Sequence, residues 1–156
     1  MAEVYFYHLT TSPLERTVPD LVERTLARGW KAVLRVGSAT TLSGLDRLLW
    51  TFRPDSFLPH GTEASPHPER QPVYLTAGRE VPNDADLLML VDGARADPTE
   101  MTGFARTCLL FDGNDSEALS LARADWRAVT EAGLPAVYWA QEKGRWVERR
   151  RVPAAN

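Results

Sequence analysis

The stretch Val4-Tyr5-Phe6-Tyr7-His8-Leu9 and the later run Lys31-Ala32-Val33-Leu34-Arg35-Val36 decide the fold class. Both runs are rich in the aromatic, aliphatic and β-branched residues that favour strands. Between them, the segment 14–26 carries apolar residues at helical spacing, and Gly29 is suited to end a helix. A strand, a helix and a second strand within so short a segment indicate a parallel crossover.

The remainder of the chain continues this alternation of strands and helices. In chain order we predict a helix over 40–52, a long loop over 53–71, strands over 72–76, 85–91 and 106–111, a helix capped by Asp115 or Ser116 and ending at Glu131, and a hairpin of strands 136–140 and 145–148. The strand over 85–91 is the most apolar of them. This predicts an interior position in the sheet, with both faces covered.

Together these elements predict an α/β fold of three layers, in which a mostly parallel, Rossmann-like sheet is flanked by helices. The hairpin forms the C-terminal edge of that sheet. We predict a single domain over 1–148. Residues 149–156 begin with three consecutive arginines and are predicted to form a flexible basic tail.

The composition is ordinary for a globular protein, with 44% hydrophobic and 25% charged residues in a chain of 156. The net charge of -3 excludes a global positive field that would draw the protein onto DNA. The single cysteine, Cys108, lies in an apolar run, which predicts a buried thiol in a reducing compartment. No segment reaches the roughly 20 apolar residues of a membrane span. We therefore expect a cytoplasmic protein without membrane contact.

Nucleotide binding or hydrolysis of an unknown substrate is the alternative that this fold class raises. The chain contains neither a Walker A motif nor a glycine-rich dinucleotide fingerprint after its first strand. The segment 10–13 lacks a glycine that would let the backbone approach a phosphate, and 37–40 is a weak substitute. The sequence therefore gives little support to a nucleotide site.

Isolated polar residues leave a catalytic or metal site open but do not favour it. Asp92 follows the apolar strand, where a catalytic acid is often found, but Asp92 and Gly93 are more typical of a turn. His60 could serve as a general base or metal ligand, although a hydrogen bond to its own loop or to a partner is favoured. No set of residues converges at a recognisable spacing, so we predict no catalytic residues, cofactor or metal.

A first candidate binding surface follows the second helix. Trp50 lies at the rim of the apolar face of that helix, and Phe57, Leu58, Pro59 and His60 follow in a proline-stiffened loop. Core packing is the alternative interpretation for the tryptophan. Apolar side chains beyond a helix end favour a preformed surface for a partner protein, and tryptophan often anchors such interfaces.

A second candidate surface lies on the last helix. Arg123 and Arg127 are four residues apart and project from one side, with Trp126 adjoining them. Two guanidinium groups beside an aromatic wall are suited to a peptide that ends in an apolar residue with a free carboxylate. The alternative is a solvated helix face with Trp126 packed on the sheet. Asp125 and Glu131 dilute the positive charge here.

One segment of the chain also resembles a known family. The run Leu45-Asp46-Arg47-Leu48-Leu49-Trp50, followed by Ser56-Phe57-Leu58-Pro59-His60, resembles the chi subunit of bacterial DNA polymerase III holoenzyme. The aromatic first strand, the apolar strand near Leu87 and the aromatic, basic last helix occur in the matching order. The resemblance implies a non-enzymatic accessory subunit of the clamp-loader assembly, acting in DNA replication.

The resemblance also implies partners and the residues that contact them. The partners are the psi subunit and the C-terminal tail of single-stranded DNA-binding protein, and DNA would be contacted mainly indirectly. By matched position, Trp50 and Phe57 form the surface for psi or a competing helicase. Arg123 and Arg127 would hold the terminal carboxylate of the tail, and Trp126 would wall its terminal phenylalanine.

Two features depart from the family pattern. Asp112 and Asp115 precede the last helix and make the tail pocket more acidic. The basic segment from residue 149 extends past the usual end of the family. Both departures bear on how tightly the pocket would hold an acidic peptide.

Overall fold

The computed structural model describes residues 2–51 and 58–155. Its elements, in chain order, are β1 (Glu3–Leu9), α1 (Leu14–Ala27), β2 (Ala32–Arg35), α2 (Ala39–Thr51), a short 3-10 turn (Pro68–Arg70), β3 (Val73–Thr76), β4 (Leu87–Leu90), α3 (Pro98–Met101), β5 (Arg106–Asp112), α4 (Ser116–Glu131), β6 (Ala136–Glu142) and β7 (Arg145–Val152). Within those ranges, no helix is both long enough and apolar enough to cross a membrane.

The strands form one sheet in the order β3-β2-β4-β5-β1-β6-β7. All neighbours are parallel except β6 and β7, which form an antiparallel hairpin at one edge. The predicted fold is therefore confirmed: a mostly parallel sheet with an antiparallel C-terminal hairpin. Lys143 and Gly144 both have positive φ angles, 52° and 77°, and make the tight turn between the two strands.

Helices cover both faces of the sheet and bury its apolar residues. On one face, Val22 of α1 and Leu49 of α2 belong to the core cluster that the sheet forms with them. On the other face, Met101 of α3 and Val129 of α4 pack in a cluster with Phe6 of β1. This division produces the three layers that the alternation of elements predicts.

Strand β4 lies inside the sheet, between β2 and β5, as its apolar sequence predicts. All four of its residues are buried. Cys108 on the neighbouring β5 is buried as well, and burial raises the pKa of its thiol to about 12. The thiol is therefore protonated and behaves as a small core residue.

The last strand is longer than predicted from the sequence. β7 runs to Val152 rather than Glu148, so residues 150–152 of the predicted flexible tail are paired with β6. Arg150 lies opposite Tyr138 in this pairing, and the amide of Ala155 donates to the carbonyl of Gly133 at 3.0 Å. An edge strand accommodates consecutive arginines because their long side chains reach water while the backbone pairs.

Candidate functional site

Trp50 stands on the surface at the C-terminal end of α2. Its side chain is 56% exposed, in contrast to Leu49, which is fully buried one residue earlier. A large exposed aromatic ring on a helix whose other apolar residues face the core is typical of a protein-binding surface. Pro59 is exposed in the loop that follows, whereas Phe57 lies outside the described residues.

The buried side chain of His60 packs against Trp50. Its ring lies edge-on to the indole, with the two ring centres 5.3 Å apart. Its Nδ1 lies 2.7 Å from the carbonyl oxygen of Leu58, and its Nε2 lies 2.9 Å from Oδ1 of Asp46 on α2. The histidine thus ties the loop after α2 back onto that helix.

Burial corrects the predicted position of two residues in this first surface. Leu58 is 5% exposed and belongs to the core cluster under α1 and α2, and His60 is 7% exposed. The sequence predicts both residues on the surface itself, Leu58 because a loop does not by itself require apolar side chains. The hydrogen bond of His60 to its own loop, which the sequence favours, is confirmed. The structure gives the physical reason for both residues: they anchor the loop, while Trp50 and Pro59 remain accessible.

The second surface is built around Trp126 on α4. The indole packs edge-on against Phe6 of β1 and Tyr138 of β6, with ring centres 5.1 and 5.8 Å apart. It is therefore half-buried, with part of its ring left on the surface. Trp126 can therefore pack on the sheet and also form the wall of a shallow site, because the sheet holds its ring in one orientation.

Three arginines lie near this indole. Arg123 and Arg127 are exposed on α4, and the guanidinium carbon of Arg150 on β7 lies 5.7 Å from the Trp126 ring centre. None of the three forms an ion pair within residues 2–51 and 58–155. Burial raises the pKa of the Tyr138 hydroxyl, and the positive charge of Arg123 opposes that rise. The positive charge of Arg123 thus acts on the aromatic cluster.

The neighbouring acidic residues are held by groups of the protein itself. Asp125 is ion-paired with Arg95, on the loop after β4. Asp112 accepts a hydrogen bond from the amide of Asn114 at 2.9 Å, and Asp115 caps α4 by accepting from the amide of Glu117 at 3.0 Å. These contacts explain why carboxylates occur here: Asp125 faces a guanidinium, whereas Asp112 and Asp115 face backbone amides.

Sequence reasoning missed three residues of this second surface. Tyr138 and Arg150 reach Trp126 only because the hairpin pairs them, and the register of a hairpin with a bulge cannot be read from local patterns. His8 contributes from β1, with its Nδ1 2.7 Å from the Tyr138 hydroxyl oxygen. Burial lowers the pKa of His8, and the charge of Asp112 opposes this shift.

The loop after β1 is where a nucleotide phosphate would be held in this fold class. Here the side-chain oxygen of Gln141 accepts hydrogen bonds from the amides of Thr10, Thr11 and Ser12, at 2.9, 3.2 and 3.2 Å. These three donors are therefore already satisfied by the protein. Gln141 lies on β6, so the C-terminal hairpin closes the position that a phosphate would need.

The other weak candidate for a phosphate loop, 37–40, has a structural explanation. A Cβ atom at Gly37 would lie only 1.8 Å from the carbonyl oxygen of Asp92, so only glycine fits. The Asp92 carboxylate accepts from the hydroxyls of Ser38 and Thr41, at 3.0 and 2.7 Å. Asp92 also has φ 55° and Gly93 φ 78°, which confirms the predicted turn.

A cleft of about 860 Å³ opens at the carboxyl ends of β1, β4 and β5. Its carboxylates are those of Glu15, Asp92, Asp112, Asp115, Glu117 and Asp125. Arg95 also lines the cleft and is ion-paired with Asp125, so the net charge of the lining is negative and repels the phosphates of a nucleotide. Among the described residues, no three His, Cys, Asp or Glu side chains are arranged to hold a metal ion.

Comparison with known proteins gives a matching family and a curated relative. The family model described as "DNA polymerase III chi subunit, HolC" matches residues 1–137. A protein of Rickettsia prowazekii (strain Madrid E), named "Probable DNA polymerase III subunit chi", is 28% identical over 91 residues. That match covers 58% of this chain and 55% of the relative, so it spans about half the length of the relative.

Proposed function

Because the chain belongs to the DNA polymerase III chi subunit family, we propose that it is a non-catalytic accessory subunit of the clamp-loader assembly. Membership of the family supports a role among the subunits of DNA polymerase III, and so in DNA replication. The finer proposal has two parts. One surface pairs with a psi subunit, and the other binds the C-terminal tail of single-stranded DNA-binding protein.

We assign the psi subunit, or a competing helicase, to the surface of Trp50 and Pro59, with Phe57 as a further contact. Support comes from the exposed indole, which is 56% accessible and held edge-on by His60. A rigid aromatic ring loses little conformational entropy when a partner covers it, which is why tryptophan so often anchors interfaces. Leu58 and His60 act here by fixing the loop.

We assign the tail of single-stranded DNA-binding protein to Arg123, Trp126 and Arg127. A guanidinium group can donate two parallel hydrogen bonds to a carboxylate, and an indole face can pack on a terminal aromatic ring. The observation that carries this assignment is the combination of a half-buried Trp126 with arginines that form no ion pair within the described residues.

The charge distribution supports a protein that meets DNA mainly through its partners. The net charge is -3, and the cleft at the carboxyl ends of the parallel strands is lined by carboxylates. A direct contact with phosphates requires clustered positive charge, and in the described part of the chain three arginines lie together at the Trp126 surface. We propose that the protein works in the cytoplasm, where bacterial replication takes place.

The test of the tail assignment is binding of a labelled peptide that ends in acidic residues, proline and phenylalanine. Arg123→Ala should weaken binding by about 1.5–3 kcal/mol, because a charge-assisted hydrogen bond is lost. Amidation of the peptide's C-terminus should weaken it similarly, and added salt should weaken it further. Arg16→Ala, an exposed arginine on α1 across the sheet, is the matched control. Absence of binding at low salt would remove this assignment.

The alternative, a nucleotide-binding or hydrolytic enzyme, makes a different prediction. A ligand that binds only the folded state raises the melting temperature. A thermal-shift screen against nucleotides and divalent metals therefore separates the two proposals. Because Gln141 occupies the amides of the loop after β1, we expect no shift with nucleoside triphosphates. A reproducible rise with one nucleotide would favour the enzyme.

A further inference from the structure

Strand β7 lies beyond the part of the chain that the family model matches. The match ends at residue 137, whereas β7 covers Arg145–Val152. It pairs antiparallel with β6, and Tyr138 lies opposite Arg150. Directly opposed residues in an antiparallel pair project from the same face of the sheet. Arg150 therefore shares the face of Tyr138 and Trp126.

Arg150 differs from the neighbouring Arg149 and Arg151 in its ion pairing. Arg149 is ion-paired with Glu142, and Arg151 with Glu148 at 2.6 Å. Arg150 forms no ion pair with a described residue, and its guanidinium lies within cation–π range of Trp126, at 5.7 Å. A guanidinium that stacks near an indole keeps its N–H groups available for an anionic ligand.

We propose that Arg150 is a third cationic contact for an acidic peptide at the Trp126 surface, supplied by the C-terminal hairpin rather than by α4. The inference rests on the proposed binding of an acidic tail at this surface. In this proposal Arg150 contacts the peptide's carboxylate groups rather than its aromatic residue. An added positive charge here offsets the carboxylates of Asp112 and Asp115, which precede α4.

The experiment compares Arg150→Ala with Arg145→Ala in the full-length chain, using the labelled acidic peptide with a terminal phenylalanine. Arg145 is also exposed on β7, roughly 16 Å away along the strand. Arg150→Ala should raise the Kd about 3- to 10-fold, whereas Arg145→Ala should leave it within about twofold. The dependence of Kd on salt should become shallower in Arg150→Ala alone.

A second peptide, with its acidic side chains replaced by amides and its C-terminus amidated, completes the test. The difference between wild type and Arg150→Ala should disappear with this peptide, because its carboxylates are gone. A difference that persists would mean a packing contact and would overturn the inference. Equal affinity of wild type and Arg150→Ala for the acidic peptide would overturn it too, as would tighter binding by the variant.

The same measurements keep this inference separate from the proposed function. If wild type does not bind the acidic peptide, the tail assignment itself fails. If wild type binds and Arg123→Ala weakens binding while Arg150→Ala does not, the tail assignment stands and only the role of β7 fails. Melting temperatures of Arg150→Ala and Arg145→Ala equal to that of wild type show that the hairpin remains folded in both.

Discussion

The guanidinium of Arg35 donates two hydrogen bonds to the carboxylate of Glu100, at 3.1 and 2.6 Å. Arg35 ends β2 and is 3% exposed, so this ion pair joins the sheet to α3 from within. The same guanidinium donates to the carbonyls of Arg79 and Arg95, both at 3.2 Å. It thereby fixes the loops that follow β3 and β4.

We predict that Arg35→Met destabilises the protein by about 3 kcal/mol or more, because the Glu100 carboxylate loses its partner. Adding Glu100→Gln to Arg35→Met should recover part of this loss, since no charge is then left unpaired. Urea denaturation of the two single variants and the double variant measures the coupling. Additive effects of the two substitutions would show that the pair is not coupled.

We predict that Trp50→Ala abolishes retention of a psi-like partner and leaves stability within about 1 kcal/mol of wild type. The indole is 56% exposed and contacts the His60 ring edge-on, so its loss leaves no large cavity. A pull-down from the native host with wild type and variant, followed by identification of retained clamp-loader proteins, measures the first effect. Thermal melting measures the second.

The matched control for Trp50 is Leu121→Ala. Leu121 is the other large hydrophobic residue that the described ranges leave exposed, at 38%, and it lies on α4. Its removal lowers exposed apolar area without touching the surface near α2. Equal retention of clamp-loader proteins by Trp50→Ala and by wild type would contradict the assignment of psi to this surface.

The fold could be predicted from the sequence because its signals are local. Alternating apolar strands and amphipathic helices, closed by residues such as Gly29, fix the element order and hence the three layers. Contacts between distant residues carry no such signal. The burial of Arg35 depends on Glu100, 65 residues later in the chain. The burial of Leu58 depends on the core under α1 and α2.

The candidate surfaces illustrate the same limit. Arg123, Trp126 and Arg127 share one helix, so their proximity follows from helical spacing. Arg150 joins them through a hairpin whose register shifts between Tyr138 and Trp139. Consecutive arginines resemble a solvated tail in composition, and only their pairing with β6 reveals a strand.

We predict that His8 makes stability depend on pH. Burial lowers the pKa of its imidazole below the ordinary 6.5, so the folded state holds the neutral ring while the unfolded state takes up a proton first. Stability should therefore fall as pH decreases through 6.5 toward the folded-state value. His8→Asn should reduce this slope, measured by urea denaturation between neutrality and about pH 5.5.

A second substitution identifies the cause of the shift at His8. Tyr138→Phe removes the hydroxyl that lies 2.7 Å from the His8 Nδ1 and retains the aromatic packing. It should lower stability and keep the pH slope, because burial is the main cause of the lowered pKa. Identical slopes in wild type and His8→Asn would show that the ring does not control the dependence.

We predict that Gln141→Ala destabilises the protein by about 1–3 kcal/mol, because the amides of Thr10, Thr11 and Ser12 lose their shared acceptor. Gln141→Glu keeps an oxygen at this position and should cost less, since amide donors favour a negative acceptor. Urea denaturation at neutral pH measures both. A larger loss in Gln141→Glu than in Gln141→Ala would mean that the cost of burying the charge outweighs the three hydrogen bonds. These three amides would then not favour an anionic acceptor.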